Sequence, residues 1–468
     1  MRSLGAEQID PHELALLSSP CLYSIKLDGF AHEDNASGNR SPEKETAYDE
    51  ETLCHTVTGL SPHLKEIHAR YCGDQAYFPA DEQREQQNRF DSQITRGSLH
   101  YLGIRGDENK SINKETVTMW NDCTDFSALR TLRITSPLRY QALEFLAKDC
   151  SFASLESLEL NLSLFATRLA WRLGQYDTPE TRFLCSLPPL STLTLHNWNS
   201  KYPLEGFLPH HGSHLTKLVI STGKNAQLSP CDLKLISEYC PNLQELEVTL
   251  HRTQGDATEV ECYRNLGGLP QLRNLMIKLD VTSIKLCNSS YGGTETPTGS
   301  KCVTTAPDAL FDEFDMEPCV RRTKFTPRGC LYRNGDIREI LINHAIDENL
   351  AKEIFETIQS SKKPGTEPLQ FVDVSCVGTV GLKKHHTGSV WRFPHQALLS
   401  ALERPWRVTR LSTGKLGVEG MQSMNLKADG GDRPLPAWLE RPFRRIWPHE
   451  RERSSWLADW HSLPLCMA

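Results

Sequence analysis

The sequence predicts an α/β fold: a leucine-rich-repeat solenoid, or horseshoe, with a parallel inner sheet, outer helices and irregular repeats. Three observations support this prediction. An apolar triplet recurs along the 468 residues, triplets in the middle of the chain lie 25 to 35 residues apart, and helical patterns separate them. This spacing is typical of leucine-rich repeats of about 20–29 residues with occasional loop insertions.

The triplet consists of an apolar residue, two variable positions, a second apolar residue, one variable position and a third apolar residue. We expect the apolar side chains to point inward from a short strand, while the variable positions face outward. One such unit cannot bury its apolar edge alone, so neighbouring units stack around a continuous core. The copies are Leu22-Ile25-Leu27, Leu64-Ile67-Ala69, Leu99-Leu102-Ile104, Leu129-Leu132-Ile134, Leu155-Leu158-Leu160, Leu190-Leu193-Leu195, Leu215-Leu218-Ile220, Leu243-Leu246-Val248, Leu272-Leu275-Ile277, Ile337-Ile340-Ile342 and Leu369-Val372-Val374.

Helical patterns lie between several of the predicted strands. Gln141–Ala147 carries apolar residues at helical spacing. A second helix begins at Ser229-Pro230 and ends before Pro241, because proline is favoured in the first turn of a helix and disrupts its interior. Residues 348–358 predict a third helix with one apolar side. Strand followed by helix, repeated, makes a parallel sheet.

Three segments interrupt the array. Residues 31–50 and 80–95 are polar and predict long exposed loops. Residues 281–335 combine a stretch rich in Gly, Thr, Ser and Pro with an acidic patch, Asp308–Asp315, that contains two phenylalanines. The patch predicts either a docking segment for a basic partner or a solvated loop pinned by its aromatic side chains. The Asn or Cys of a strict repeat's ninth position occurs only at Cys72, so we expect irregular loops.

The C-terminal residues differ in kind from the repeats. Closely spaced aromatic residues predict a cap over the last repeat or, alternatively, an aromatic-lined peptide groove. These residues are Trp438, Phe443, Trp447, Trp456 and Trp460. No matching cap precedes the first triplet, and we expect further sequence before this unit in related proteins. The predicted organisation is leucine-rich repeats at 1–280, a loop-rich insertion at 281–335, degenerate repeats at 336–430 and a Trp-rich cap at 431–468.

Composition favours a soluble protein-binding chain over a nucleic-acid-binding one. The 52 basic and 59 acidic residues leave a net charge of −7, whereas a nucleic-acid surface usually needs a basic excess. The sequence shows no signal peptide and no apolar run long enough to span a membrane. Its 15 cysteines are irregularly spaced, without a CxxC pair, and predict reduced thiols. We therefore expect a cytoplasmic or nuclear protein without nucleic-acid or membrane partners.

The sequence carries no catalytic or metal signature, and we expect no enzyme activity, no cofactor and no metal site. Neither a GxSxG nor an HExxH motif occurs. Gly223-Lys224 lacks the upstream glycine of a phosphate-binding loop and predicts an ordinary turn. The histidines His210, His211 and His214 could hold zinc, but no carboxylate or thiol stands at ligand spacing, so they predict an exposed turn instead.

The outward strand positions form the candidate partner-binding surface. Their charges alternate in blocks, basic at the fourth repeat and acidic at the fifth and eighth, and such a surface can recognise a protein with complementary patches. The alternative is a merely solvated strand face. The candidate residues on this concave side are Lys65, His68, Arg130, Arg133, Glu156, Glu159, Lys217, Glu245, Glu247, Arg273 and Met276.

The irregular repeats and the ending, in which PFRRIWP at 442–448 precedes WLADWHSLPL at 456–465, resemble the F-box and leucine-rich-repeat proteins of filamentous fungi. The resemblance implies that the repeats select a target protein, which an N-terminal F-box hands to a cullin-type ubiquitin ligase. The chain departs from the family here, because Asp10–Leu17 runs into the Leu22 triplet and leaves no room for the F-box. We expect that the box was lost or that the gene model is truncated.

Two functions remain open at this stage. The chain is the substrate-recognition part of a ubiquitin-ligase receptor, with the ligase adaptor as a second partner if an F-box lies upstream. Alternatively, it is a stand-alone repeat scaffold or inhibitor without ubiquitin coupling. In both cases the expected partner is a target protein bound by the repeats.

Overall fold

The computed structural model describes most of the predicted strands and many of the segments between them. The described residues are 15–16, 19–27, 63–70, 96–105, 111–162, 178–198, 203–222, 227–281, 311–318, 333–377, 402, 404–421, 435, 437–448 and 456–466. The predicted loops at 31–50 and 80–95 lie outside them, as does Cys72. The chain divides into two units, Met1–Ala226 and Gln227–Ala468.

The described part of the first unit contains a parallel sheet whose strand order follows the chain order. Each strand pairs with the next strand along the chain. A parallel neighbour can be reached only through a crossover connection, and the segments between the triplets provide it. The strands are β1 (Ser24–Leu27), β2 (Glu66–Arg70), β3 (Tyr101–Arg105), β4 (Thr131–Ile134), β5 (Ser157–Asn161), β6 (Thr192–Trp198) and β7 (Lys217–Thr222).

The middle residue of each apolar triplet occupies the same register position in neighbouring strands. From β2 to β7 each of these side chains is at most 1% exposed, and the aligned residues are Ile67, Leu102, Leu132, Leu158, Leu193 and Leu218. The predicted repeat core is therefore confirmed in these strands. In β1, Leu22 and Ile25 are only half-buried, because β2 is this strand's single neighbour in the described sheet.

Short helices connect the strands of the first unit. They are α1 (Lys114–Cys123), α2 (Tyr140–Lys148), α3 (Pro179–Ser186) and α4 (Leu208–His211), with 3₁₀ turns at Phe126–Ala128 and Leu204–Gly206. The predicted helix at 141–147 is thus confirmed as α2. Helix α3 begins where the Thr178 hydroxyl accepts a hydrogen bond from the Thr181 N–H at 3.2 Å, which satisfies an amide that has no partner within the helix.

The second unit begins with the same repeat pattern and ends differently. Strands β8 (Glu245–His251), β9 (Asn274–Asp280) and β10 (Phe371–Val377) are parallel. Strands β11 (Trp406–Arg410) and β12 (Leu416–Gly420) then follow in antiparallel order. The helices are α5 (Pro230–Tyr239), α6 (Ala257–Leu266), α7 (Glu313–Met316), α8 (Asn334–His344), α9 (Glu348–Ser360), α10 (Ala437–Ile446) and α11 (Trp456–Asp459). The helices predicted at Pro230 and at 348–358 are confirmed as α5 and α9.

One predicted strand is a helix. The triplet Ile337-Ile340-Ile342 lies within α8, so its prediction as a strand was wrong. Apolar residues at positions one, four and six fit a helix as well as a repeat strand. Here the consecutive residues Ile340, Leu341 and Ile342 are all at most 6% exposed, and an alternating strand packed on one side cannot bury three successive side chains.

The aromatic residues of the C-terminal segment pack against α8. Phe443, Trp447 and Trp456 are buried in one hydrophobic cluster with Ile337 and Leu341. Trp438 and Trp460 lie at its margin, partly buried. The aromatic residues therefore fill a core between helices, and we expect their truncation to loosen α10 from α8.

The last described residues lie along α9 and the loop before α6. The Ser462 hydroxyl donates a hydrogen bond to Asp347 at 2.6 Å, and the Leu465 N–H donates one to Glu353 at 3.0 Å. The Cys466 N–H donates to the Gly255 carbonyl at 2.8 Å. These three contacts anchor residues 462–466 to the second unit.

The nine cysteines within the described ranges are free thiols. Burial raises the pKa of Cys240 and of Cys262 to about 12, so both stay protonated and behave as small apolar groups. None of the described helices is long and apolar enough to cross a bilayer.

Candidate protein-interaction surface

Seven of the candidate binding residues lie in strands, on the side of the sheets that faces away from the buried triplets. The other four come directly before a strand: Lys65 before β2, Arg130 before β4, Glu156 before β5 and Arg273 before β9. In a strand, successive side chains point to opposite faces, so the positions between the buried residues share the second face. We call this second face, in each unit, the polar face. None of the predicted residues is buried. In the first unit they are Lys65, His68, Arg130, Arg133, Glu156, Glu159 and Lys217, and in the second unit Glu245, Glu247, Arg273 and Met276.

A charged cluster crosses three strands at the centre of the first unit's polar face. The Arg133 Nε lies 2.7 Å from Glu159 Oε2, and the His196 Nε2 lies 2.9 Å from Glu159 Oε1. Parallel register brings these residues together, because Arg133 of β4 lies opposite Glu159 of β5, and Asn161 two residues later lies opposite His196 of β6. Glu159 therefore binds Arg133 of β4 with one carboxylate oxygen and His196 of β6 with the other.

The electrostatics of this cluster keep Glu159 ionised. Burial favours the neutral carboxyl and raises its pKa, but the hydrogen bond from His196 and the charge of Arg133 outweigh burial, so the pKa is lowered. For Arg133, partial burial lowers the pKa, and the charge of Glu159 and a hydrogen bond with Tyr101 outweigh it. The cluster is thus a fixed ion pair at neutral pH.

Two aromatic rings extend the cluster to β2 and β3. The rings of His68 and Tyr101 lie with centroids 4.4 Å apart, and Tyr101 also bonds to Arg133. Gly103 of β3 lies opposite His68 of β2 and Arg133 of β4. It leaves the space that the Tyr101 ring fills, since a Cβ at Gly103 would lie 2.9 Å from the Tyr101 Cε1. His68, Tyr101, Arg133, Glu159 and His196 form a continuous network across five consecutive strands, called the five-strand network below.

The polar face of the second unit has its own ion pairs. The Arg407 guanidinium of β11 makes two hydrogen bonds of 2.6 Å to the buried Asp373 carboxylate of β10 and lies 5.0 Å above the ring of Phe371. Lys278 of β9 pairs with Glu247 of β8. Just outside the strands, Arg273 before β9 lies 3.4 Å from Glu367, which precedes β10. Met276, opposite both Glu247 and Asp373, is the apolar residue among these charges.

Charges that the sequence predicts as separate basic and acidic blocks pair with opposite charges in the structure. Arg133 of the basic block and Glu159 of the acidic block neutralise each other across adjacent strands, and Glu247 is paired with Lys278. Tyr101 and His196 on the polar face of the first unit, and Lys278 on that of the second, were not among the predicted residues. In a strand every second side chain faces outward. Extending this alternation through the third repeat, and past the end of the triplets at Leu195 and Ile277, would have identified them.

The three histidines before β7 do not form the exposed turn that the sequence predicts. His211 is completely buried in α4, where the Leu190 N–H donates to its Nδ1 at 3.3 Å and its Nε2 bonds to the Leu184 carbonyl at 3.0 Å. Burial disfavours the charged ring and lowers the pKa of His211 to about 4. His210 and His214 are exposed, as predicted. The described ranges contain no group of three potential metal ligands, and Gly223-Lys224 lies outside them.

Comparisons with known proteins give little beyond this geometry. No family model and no curated protein sequence matches the chain. Among solved structures, the chain is similar to the leucine-rich repeat-containing protein LegL7 from Legionella pneumophila, with 14% sequence identity and a TM-score of 0.24. The match covers 50% of this chain and 62% of that one, so the chain spans less than two thirds of its length. The assignment as a leucine-rich-repeat-like fold therefore rests on the buried triplets and the parallel strand order of the chain itself.

Proposed function

We propose that the protein is a protein-binding module that holds its partner on the polar face of the first unit. The observation that carries the proposal is the five-strand network, because a merely solvated face has no need of side chains locked together across five strands. Tyrosine and arginine, together with tryptophan, are the residue types that most often dominate binding energy at protein interfaces. Both lie at the centre of this network, as Tyr101 and Arg133.

The arrangement favours binding because its side chains are already in place. Arg133 is 51% exposed although its Nε is paired, so a partner can reach the guanidinium without breaking the ion pair. Immobilising a flexible side chain costs about 0.5–1.5 kcal/mol on binding, and a preformed network has already met that cost in the free protein. The partner expected here is a folded protein with polar and aromatic groups of its own.

Binding without catalysis is part of this proposal. A general base needs a free lone pair and a pKa near the working pH. Glu159, the carboxylate of the network, engages both oxygens and has a lowered pKa, so it is a weak base held by two partners. We accordingly propose that the protein acts without a cofactor, in the cytoplasm or the nucleus, where the free cysteines would remain reduced.

The more specific proposal is that binding selects a target for ubiquitination. It is supported by the resemblance of the repeats and of the two C-terminal tryptophan motifs to fungal F-box and leucine-rich-repeat proteins. In that case a cullin-ligase adaptor would be a second partner. The alternative is a scaffold or inhibitor that uses the same polar face and recruits no ligase.

The test compares three forms of the full chain as baits in lysate, with bound proteins quantified by mass spectrometry. The first is wild type, the second carries Tyr101→Ala and Arg133→Glu, and the third carries Lys234→Ala and Glu238→Ala on α5. The control pair is suitable because Lys234 and Glu238 are exposed, 68% and 55%, and lie on a helix of the other unit.

We expect a protein that wild type and the α5 control retain and the polar-face variant loses by at least about tenfold, which corresponds to about 1.4 kcal/mol. Equal recovery by all three forms, with the variant's circular dichroism unchanged, would refute binding by this face. Co-purification of a cullin-ligase adaptor supports the receptor proposal. Recovery of the face-dependent partner without the adaptor supports the scaffold instead.

A further inference from the structure

A short acidic segment of the insertion lies on an arginine-rich surface of the second unit. The acidic segment is residues 311–318, FDEFDMEP, and it includes α7. Three acidic side chains each meet one arginine of α8 or α10. The pairs are Asp312–Arg445 at 2.8 Å, Asp315–Arg338 at 2.8 Å and Glu317–Arg441 at 3.1 Å. We call these three arginines the arginine site.

Aromatic and backbone contacts give the site a defined shape. The Phe314 ring contacts both Arg441 and Arg445, whose guanidinium carbons are 5.3 and 5.8 Å from the ring centroid. The ring of Phe311 lies over Gly335, where a Cβ would come within 2.6 Å of it. The Asn334 side chain donates to the Phe314 carbonyl at 3.0 Å. The site thus recognises acidic groups, two aromatic rings and the backbone between them.

The arginine site does not depend on the acidic segment for its framework. Helices α8 and α10 are joined by the hydrophobic cluster that contains Ile337, Leu341, Phe443 and Trp447, and this cluster includes no residue of the acidic segment. Asp312 caps α7 by accepting a hydrogen bond from the Asp315 N–H at 2.9 Å, so the segment also forms its own turn. The Asn334 N–H of α8 also donates a hydrogen bond to the Glu317 carbonyl at 3.0 Å, so backbone as well as side-chain contacts hold the segment on the site. The packing of α8 against α10, in contrast, does not involve the segment.

The contact is also exposed enough to be reversible. Arg441 and Arg445 are 61% and 55% exposed although they are paired, and exposed ion pairs contribute little to stability because water and salt screen them. Asp315 is fully buried, but it would leave with the segment, while Arg338 would gain water. Release therefore leaves no buried charge without a partner.

We propose that the arginine site is a receptor for acidic–aromatic peptide segments of a partner protein, and that residues 311–318 occupy it as an internal substitute. The partner segment has the chemistry of the resident one: two phenylalanines separated by two acidic residues, with acidic residues following. This site is distinct from the polar face of the first unit. Residues 311–315 of the acidic patch thus dock on a basic surface of the same chain, and residues 308–310 lie outside the described residues.

The internal segment determines how tightly an outside peptide must bind in order to occupy the arginine site. A tethered segment presents itself at an effective concentration in the millimolar range, so a single outside copy must compete with it. A partner succeeds when it binds more tightly, carries several copies or is held nearby by a second contact. Weakening the internal segment should therefore raise the affinity for an outside peptide.

The test uses a fluorescein-labelled peptide, FDEFDMEP with blocked ends, and fluorescence anisotropy with the full chain. One variant carries Asp312→Lys and Glu317→Lys, which repel Arg445 and Arg441. A second adds Arg441→Gln and Arg445→Gln to it. The matched control is Glu313→Gln, since Glu313 is an exposed acid of the same segment and makes no ion pair among the described residues.

We expect the peptide to bind the Lys variant at least about tenfold more tightly than wild type, because the internal competitor is weakened. The added Arg→Gln changes should abolish that gain, a peptide with both phenylalanines replaced by alanine should not bind, and the control should match wild type. Peptide binding that is equal in wild type and the Lys variant, or unaffected by the Arg→Gln changes, would overturn the proposal. If the Lys variant is unfolded by circular dichroism, Phe314→Ala replaces it, with the same expected and overturning results.

Discussion

Glu259 of α6 is a buried carboxylate on which a whole loop of the second unit depends. It is 2% exposed and accepts hydrogen bonds from the Arg252 Nη1 at 2.5 Å and the Tyr263 hydroxyl at 2.6 Å through one oxygen. Its other oxygen accepts from the Thr253 N–H at 2.8 Å and the Gly255 N–H at 2.9 Å. Replacing one oxygen by an amide nitrogen tests this arrangement with almost no change in volume.

We expect Glu259→Gln to lower the free energy of unfolding of the second unit by about 3–5 kcal/mol, the usual cost of leaving a buried charge without its partner. Arg252 is fully buried, and its Nε and Nη2 already have no hydrogen-bond partner within the described part of the chain. The amide NH2 of the new glutamine would also point at N–H or O–H groups that now donate to a carboxylate oxygen, and two donors cannot form a hydrogen bond with each other. Tyr263→Phe removes one hydrogen bond to a charged acceptor and should cost about 1–3 kcal/mol.

The measurement is urea denaturation followed by circular dichroism, together with hydrogen–deuterium exchange of peptides from residues 252–266. Glu238→Gln is the control, because its carboxylate lies 4.0 Å from Lys234 and is 55% exposed, and exposed pairs contribute at most about 1 kcal/mol. A Glu259→Gln protein within about 1 kcal/mol of that control, with unchanged exchange at 252–266, would refute the assigned role of the buried pair.

Three further predictions follow from other contacts. The pKa of His211 is about 4 instead of 6.5, so the unfolded chain binds a proton that the folded chain excludes as the pH falls below 6.5. The first unit should lose about 2 kcal/mol of stability between pH 7 and pH 5, and His211→Gln should remove that dependence in urea titrations. Gly103→Ala should push the Tyr101 ring aside and weaken partner binding in the pull-down. The melting temperature should stay within about 2 °C of wild type. Unchanged binding would contradict the role of the ring. Gly335→Ala should displace Phe311 and speed hydrogen exchange at 311–318, and unchanged exchange would show that this contact is dispensable.

The repeat core was predictable because its signal is local. A triplet such as Leu129-Leu132-Ile134 specifies which side chains turn inward, whatever the strand's neighbours are, and all three residues are at most 1% exposed. The antiparallel pair β11 and β12 carries no such triplet and was not predicted. The Ile337 triplet failed because its spacing also fits a helix, and the decision depends on what packs around it.

The candidate surface was predictable in position and not in pairing. The alternation of a strand placed Arg133 and Glu159 on the outward side, as observed. Which charges meet depends on register between strands some 26 residues apart, and a single sequence does not contain that register. His211 illustrates the same point, because its burial depends on Leu184 and Leu190, which lie on an earlier repeat segment.

The parallel pairing of β9 with β10 shows how an array of this kind can acquire new segments. These strands keep an unbroken seven-residue register although they are about 100 positions apart in the chain. The entropy lost in closing a flexible loop grows only with the logarithm of its length, by about 0.6 kcal/mol for each doubling. Lengthening the connection between two paired strands therefore costs little, and evolution could add the acidic segment to a finished sheet without altering a single strand.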